Sequence, residues 1–260
     1  MENTHFALIT GASSGIGLEF ARQLGKKGYN LLIVSNEALI HARADELRTA
    51  YPTLQVMALE RDLSQQAAAR ELYEYTHAQG LEIEVLINNA GVYHDSDILD
   101  DSEAFTSLIL NLHMYTPAML CHLFGTDMRN RKHGYILNVC SVTNKIAIQR
   151  LGTYGSTKAF LNNFTRSLHI ELKPHGVYVT NLSPGAVDTT LYNIKPWLTK
   201  LGKCLGIIVS PQMLVRRGLW AMFHGISKVT VPTVFWLFLT TLILFIPTCL
   251  LRLIRRLGLF

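Results

Sequence analysis

Apolar residues along this chain switch between two spacings. Short continuous apolar runs at His5–Thr10 and at residues 30–34, 54–59, 84–87, 135–139 and 177–182 have the length of buried strands. Between them, apolar positions recur every three or four residues. Ile16, Phe20 and Leu24 share one helical face, and stretches 37–50, 65–78, 105–128 and 154–173 carry comparable helical patterns. Strand and helix therefore alternate in order. Repeated β-α units predict an α/β domain with a doubly wound parallel sheet, right-handed crossovers and helices on both faces. Ligands of such sheets lie beyond the carboxyl ends of the strands, so chemistry is sought there.

A length of 260 residues suits one large domain with enough core to fold alone. No internal repeat or low-complexity linker interrupts it, and no charged leader or cleavage site precedes the strand-like start, so a secretory signal is not expected. Cys121, Cys140, Cys204 and Cys249 are scattered, without C-x-x-C spacing or a ligand cluster with His; free thiols and no metal site are expected. Cys140 is read as a small core residue, with a reactive thiol as the alternative. The net charge of +5 raises nucleic acid as a partner, but no basic strip interleaved with aromatics exists. Arg216, Arg217, Lys228, Arg252, Arg255 and Arg256 gather instead beside the most apolar part of the chain, which suits an anionic membrane surface better.

The first strand runs into Gly11-Ala12-Ser13-Ser14-Gly15-Ile16-Gly17 and then a helix. Strand, glycine-rich turn and helix is the context in which a dinucleotide phosphate is held. Gly11 permits the tight turn, Gly15 lets the backbone approach a pyrophosphate, and Gly17 lets the helix pack closely on the strand. Free N–H groups at the helix start supply partial positive charge. Other strand ends carry polar residues. Asp62, in Arg61-Asp62-Leu63-Ser64, could accept from an adenine amine or cap a helix. Asn88-Asn89-Ala90-Gly91 suits a turn tying strand ends together beside a ribose, or a plain turn. Ser141 could donate to a substrate carbonyl or serve a turn. Tyr154 and Lys158 are four apart at the start of a helical stretch and stack on one face. An ammonium beside a phenol favours the phenolate and makes the tyrosine a usable proton donor near neutral pH.

Taken in order, these residues, with Asn111, Pro184-Gly185 and Thr189, resemble the short-chain dehydrogenase/reductase family from about residue 6 to about residue 232. The resemblance implies a single Rossmann-like domain of about seven parallel strands, the last at residues 229–232, and a nicotinamide cofactor. It assigns Tyr154 as general acid in carbonyl reduction, Lys158 to the nicotinamide ribose and the tyrosine pKa, Ser141 to the carbonyl, and Asn111 to a water linking Lys158 to solvent. Cofactor contacts would come from Gly11, Ser13, Ser14, Gly15, Ile16, Gly17, Ser35, Asn36, Asp62, Leu63, Asn88, Ala90, Gly91, Pro184, Gly185, Val187 and Thr189, with Tyr154 and Lys158. Where the family most often places an acid or a base after the second strand, this chain has Ser35 and Asn36. Without a carboxylate there, a 2′-phosphate is not repelled, and Arg43 could reach it. NADP(H) is favoured, and NAD(H) stays open because of Glu37.

Residues 229–251 carry no charge. If residues 229–232 form the last strand, residues 233–251 are marginal for a hydrocarbon core of roughly 30 Å, and Pro247 interrupts them. A tail anchor, an interfacial helix or hairpin, and a buried substrate-covering or dimer helix are the alternatives. The chain thus divides into a catalytic domain at 1–232, with a substrate lid at about 186–210, and an apolar, basic tail at 233–260. The lid segment holds Trp197, Leu198, Leu201, Leu205, Ile207 and Ile208, which could cover an alkyl chain or sterol, or simply pack as a helix pair. The family branch most resembled is that of membrane-associated 3-oxoacyl and hydroxysteroid reductases. The expected activity is interconversion of a ketone and a secondary alcohol on a lipophilic substrate, by a cytoplasmic domain held at a membrane. A reductase of small carbonyls and an idle dinucleotide sensor are the alternatives, and the family commonly forms homodimers or homotetramers.

Overall fold

A computed structural model of the protein describes residues 5–93, 95–145, 149–188 and 208–232. The lid segment from 189 to 207, with Thr189, and the tail from 233 lie outside the described residues, as do Cys204 and Cys249.

Seven parallel strands form the main sheet: β1 (His5–Thr10), β2 (Asn30–Ser35), β3 (Val56–Glu60), β4 (Glu82–Asn88), β5 (Gly134–Val139), β6 (Val177–Pro184) and β9 (Lys228–Val231). Their order is β3-β2-β1-β4-β5-β6-β9, so the chain winds outward from β1 in one direction and from β4 in the other. A separate parallel pair, β7 (Ala186–Val187) with β8 (Ile208–Val209), brackets the lid segment. The period of two in the strand sequences decides the layers. Ala7, Ile9, Leu31 and Ile33 point to one core, shared with α1 (Gly15–Lys26), α2 (Leu39–Ala50) and α7 (Pro211–Phe223). Phe6, Leu8, Leu32 and Val34 point to the other, shared with α3 (Ala68–Ala78), α5 (Thr116–Arg131) and α6 (Gly152–Leu172). Strands apolar on both faces are what a sheet covered on both sides requires.

Several boundaries move from the sequence expectation for local reasons. The third strand begins at Val56 because Leu54 closes a turn by donating its N–H to the Tyr51 carbonyl. Helix α3 begins at Ala68, not residue 65, because Asp62 organises the preceding turn. The stretch expected as one helix over 105–128 is α4 (Glu103–Leu110), a π-helical turn at Asn111–Tyr115, and α5. One extra residue in that turn shifts the faces of the two halves, as π turns at functional sites often do. Pro184 is the last residue of β6, opposite Val231. Helix α7 corresponds to no helix expected from the sequence; Ser210 caps it by accepting from the Met213 N–H, and Pro211 opens it.

Candidate active site

The glycine-rich turn lies between the carboxyl end of β1 and the start of α1. Gly11 takes a left-handed φ of 65°, and a Cβ there would sit 2.8 Å from the Ala90 Cα. A Cβ on Gly17 would fall 2.0 Å from the Gly11 carbonyl oxygen and 2.6 Å from the Asn89 amide nitrogen. The close approach that needs Gly17 is therefore to its own turn and to Asn89, not to the strand. Gly17→Ala pushes a methyl group into backbone that cannot swing aside. It is expected to cost about 1–3 kcal/mol of stability and to weaken dinucleotide binding, read by thermal melting and by NADPH fluorescence titration.

Asn89 locks this turn. Its side-chain amide donates to the carbonyls of Thr10 and Gly11, both at 3.0 Å, and its backbone N–H donates to the Thr10 hydroxyl at 3.0 Å. Asn88, one residue earlier, faces the opposite way. Its amide donates to Asn138 at 2.8 Å and to the Cys121 sulfur at 3.3 Å, inside the sheet. The sequence reading gave both amides to a turn tying strand ends together, as Asn89 does, and counted Asn88 but not Asn89 among the cofactor residues. The structure puts Asn89 in the cleft wall and Asn88 behind it. Neighbours on a strand alternate sides, and only the register says which neighbour faces the cleft.

The cleft has a volume of about 320 Å³. Gly11, Ser13, Ser14, Gly15 and Ile16 line one end, Ser35, Asn36, Glu37, Arg61, Asp62 and Leu63 the other, and Asn89, Ala90, Gly91, Val92 and Leu112 the floor. Gly17, Pro184, Gly185 and Val187, also expected at the cofactor, do not line it. Pro184 and Gly185 lie at the end of β6, where the Gly185 N–H donates to the Val231 carbonyl, and Val187 pairs with β8. The start of α1 suits a phosphate. Ser14 precedes the helix in an extended conformation with no side-chain cap bond, and the first turn holds no acid. Its N–H groups therefore lack a side-chain acceptor of their own. Glycines that leave no room for a Cβ, an uncapped helix start and a cleft reaching from it to the end of β2 fit a dinucleotide.

Polar groups at the far end are partly committed. Asp62 accepts from the Ser64 N–H and hydroxyl and from the Gln65 amide. Partial burial would raise its pKa, but these hydrogen bonds outweigh it and hold the carboxyl below its ordinary value. Asp62 forms the turn before α3, whose N-cap is Ala67 with no side-chain cap bond, and it lines the cleft. Ser35 accepts the Glu37 N–H at 3.2 Å, leaving its hydroxyl hydrogen free to donate. Arg43 donates from Nε to the Ser13 carbonyl at 3.1 Å and pairs with Glu46, which ties it to the glycine-rich turn.

Tyr154 and Lys158 stand on the first turns of α6, both buried. The Lys158 ammonium donates to the Val139 carbonyl at 3.1 Å and lies 5.7 Å from the centre of the Tyr154 ring. Burial pushes the Lys158 pKa down to about 8. Ser141, after β5, accepts from both the N–H and the hydroxyl of Thr143, at 3.2 and 2.9 Å. It is a turn serine whose own hydroxyl hydrogen remains to be given elsewhere. Asn111 opens the π-helical turn. A pocket of about 10 Å³ lies between Asn88, His113 and Lys158, room for about one water. Burial raises the Cys140 thiol to about 12, so it stays protonated and serves the core.

Two residues at the site carry no mark in the sequence. Tyr93 packs edge-on against the Tyr154 ring, with centroids 5.5 Å apart. His113 packs edge-on against it from elsewhere, at 5.7 Å. No spacing rule picks out either; their shared partner is visible only once β4, the π turn and α6 are brought together.

A family model described as short chain dehydrogenase matches residues 5–196. The very-long-chain 3-oxoacyl-CoA reductase of Pyrenophora tritici-repentis is 31% identical over 215 residues, covering 81% of this chain and 61% of that one. The protein of the same name from Coprinopsis cinerea is 33% identical over 216 residues, with the same coverage. The chain thus spans about three fifths of the length of these curated relatives. Among solved structures, a short-chain dehydrogenase from Sphingobium yanoikuyae in complex with NADPH superposes with a TM-score of 0.78 at 26% identity, covering 88% of each chain. The bulky-bulky ketone specific alcohol dehydrogenase from Comamonas testosteroni gives 0.77 at 25% identity, covering 90% of this chain and 88% of that one.

Proposed function

The chain belongs to the short-chain dehydrogenase family of oxidoreductases, and from that premise we propose that it reduces the ketone of a 3-oxoacyl thioester or similar lipophilic carbonyl with NADPH, using Tyr154 as the proton donor. The observation that carries this reading is the buried pair Tyr154 and Lys158, one helical turn apart on α6. A phenol alone is a poor acid near neutral pH. Beside an ammonium that burial keeps from dispersing into water, it gives up a proton more easily.

The residues divide the work as follows. Tyr154 gives its hydroxyl proton to the carbonyl oxygen as the carbon is reduced, which leaves an alcohol and a tyrosinate. Ser141 donates its free hydroxyl hydrogen to the same oxygen and stabilises the negative charge that develops there. Lys158 spends one N–H on Val139 and has two left for the tyrosinate and a ribose. Asn111, at the π turn, holds the water from which the proton is replaced. A bound nicotinamide dinucleotide supplies the hydride. Its phosphates fit the start of α1, and its adenosine end fits the cleft between Ser35, Asn36 and Asp62. NADP(H) is favoured because β2 ends at Ser35 and is followed by Asn36, without a carboxylate at either position, while Arg61 lines the same end. Glu37 also lines it and opposes this preference.

The lipophilic substrate is supported by two things: the names of the reductases that the chain resembles, and the apolar residues of the sequence between β7 and β8. Placement at a membrane surface rests on the uncharged stretch within residues 229–251 and the arginines after it. No helix among the described residues is long and apolar enough to cross a membrane.

The test is oxidation of NADPH by the full chain in detergent, offered 3-oxoacyl-CoA esters of increasing chain length, with NADH run in parallel. Expected are a kcat/KM that rises with chain length and falls at least about tenfold with NADH, the loss that one missing charge-assisted phosphate contact produces. Turnover confined to short substrates would replace the lipid reading with a small-carbonyl reductase. Equal use of both cofactors would remove the NADP preference.

A further inference from the structure

His113 is buried to 1% exposure in the π-helical turn, and the reaction as derived above does not use it. Its imidazole bridges two separate parts of the fold. Nε2 lies 2.9 Å from the backbone nitrogen of Val92, in the turn that floors the cofactor cleft. Nδ1 lies 3.1 Å from the Thr157 hydroxyl, on the helix that carries Tyr154 and Lys158. These contacts dictate the tautomer. A backbone N–H can only donate, so Nε2 must be the unprotonated, accepting nitrogen. The single ring proton is then on Nδ1 and is donated to Thr157. Thr157 passes the sequence on, donating its own hydrogen to the carbonyl of Tyr154 at 2.8 Å. The donors run in one direction, from the Val92 N–H through His113 and Thr157 to the backbone of Tyr154. Meanwhile the ring edge packs on the Tyr154 phenol.

The surroundings maintain this state. Burial, with the Lys158 charge nearby, holds the imidazole pKa well below its ordinary value, so the ring stays neutral. A protonated ring would lose its accepting nitrogen and put a second positive charge beside Lys158. Gly91 makes the approach possible, since a Cβ there would fall 2.8 Å from His113 Nε2. The third glycine of the cleft thus answers to the histidine.

Resting on the reading of Tyr154 as proton donor, we infer that His113 is a positioning residue: a neutral imidazole, protonated on Nδ1, that fixes the helix carrying Tyr154 against the cofactor-cleft turn and so sets the distance between donor and substrate. A lone buried histidine is more often a core residue with satisfied hydrogen bonds. What separates this one is that both its bonds end on parts of the reaction site and none on the scaffold behind.

Three variants test it with NADPH and a long-chain 3-oxoacyl-CoA. His113→Phe keeps the ring packing and removes both bonds. His113→Asn keeps a donor where Nδ1 stands. Thr157→Val keeps the shape and removes the middle link. His113→Phe and Thr157→Val are each expected to lower kcat about 10- to 100-fold, the cost of a displacement of up to roughly 1 Å, with the NADPH dissociation constant nearly unchanged. His113→Asn keeps the bond to Thr157 but leaves the Val92 N–H without its acceptor, so it cuts the same chain and is expected to lower kcat as the other two do. The double variant loses no more than either single one, because both cut one chain of bonds. Nitrogen-15 shifts of the wild-type histidine, read without substrate, show a protonated Nδ1 and a bare Nε2. The inference is overturned if both single variants keep wild-type kcat, if their effects multiply, or if Nε2 carries the proton. Should His113→Phe fail to fold, Thr157→Val and the shifts decide. Tyr154→Phe in the same assay separates the two claims. Turnover that survives it removes the proton-donor reading, whereas its loss beside unaffected His113 and Thr157 variants removes this inference alone.

Discussion

Tyr154→Phe is expected to lower kcat by about two to four orders of magnitude, the range that a positioned general acid contributes, and to leave the fold and the cofactor affinity intact. The side chain is buried, and the rings of Tyr93 and His113 meet it edge-on at 5.5 and 5.7 Å. Phenylalanine offers the same ring to both, so the packing energy stays. What disappears is one hydroxyl, and with it the proton for the carbonyl oxygen. Three measurements on one preparation check this: turnover of a 3-oxoacyl-CoA, the melting temperature, and quenching or enhancement of NADPH fluorescence. A variant that melts normally, binds NADPH normally and still turns over within about tenfold of wild type would remove Tyr154 from its role.

Lys158→Met is expected to separate activity from stability. Activity falls by about two to three orders of magnitude, because the ammonium that makes the phenol acidic is gone, and NADPH binds less tightly for want of a ribose donor. Stability moves the other way at neutral pH. Burial lowers the pKa of this ammonium to about 8, against an ordinary value of 10.5. Between those values the unfolded chain holds a proton that the folded chain has released, so wild-type stability rises as pH rises through that window and is lost as pH falls through about 8. Below it, the folded protein carries a burial cost of about 3 kcal/mol, offset in part by the bond to the Val139 carbonyl. Methionine has no such cost and fills similar space. Melting curves at pH 7 and pH 10 give the sign: the variant's advantage is present at the lower pH and shrinks at the higher. An advantage that grows with pH would mean that the lysine is not held in a desolvated site. An advantage confined to the lower pH means that the protein keeps an unfavourable buried charge because turnover requires it, the usual exchange between stability and activity at reaction sites.

Much of the fold was legible because its signals are local. The apolar runs at His5–Thr10 and residues 30–34 announce strands with no knowledge of what they touch. A parallel sheet covered on both faces follows from alternating periods alone. The glycine-rich turn and the spacing of Tyr154 and Lys158 are equally local, since one helix or one turn contains the whole motif. The expected lid and tail rest on composition alone, and residues 189–207 and 233–260 lie outside the described residues.

Other features depended on which residues meet across long stretches of chain. Asn88 and Asn89 are chemically identical neighbours, and only the register of β4 against β1 turns one to the glycine-rich turn and the other to Asn138. The π turn at Asn111 changes helical phase by one residue, a shift that a hydrophobic pattern averages away. Arg43, which could reach a phosphate, spends its Nε on the Ser13 carbonyl of the glycine-rich turn. His113 and Tyr93 read as ordinary members of a helix and a loop until the fold sets both against Tyr154. By itself the sequence determined the layers, the glycine-rich turn and the placement of Tyr154 and Lys158 on one helix, because periodicity and motif spacing are properties of contiguous chain. The tertiary structure alone decided which amide locks the turn, where the long helix breaks and what holds Tyr154 in place, because hydrogen bonds between residues 21 to 79 positions apart exist only after the sheet has set their distances.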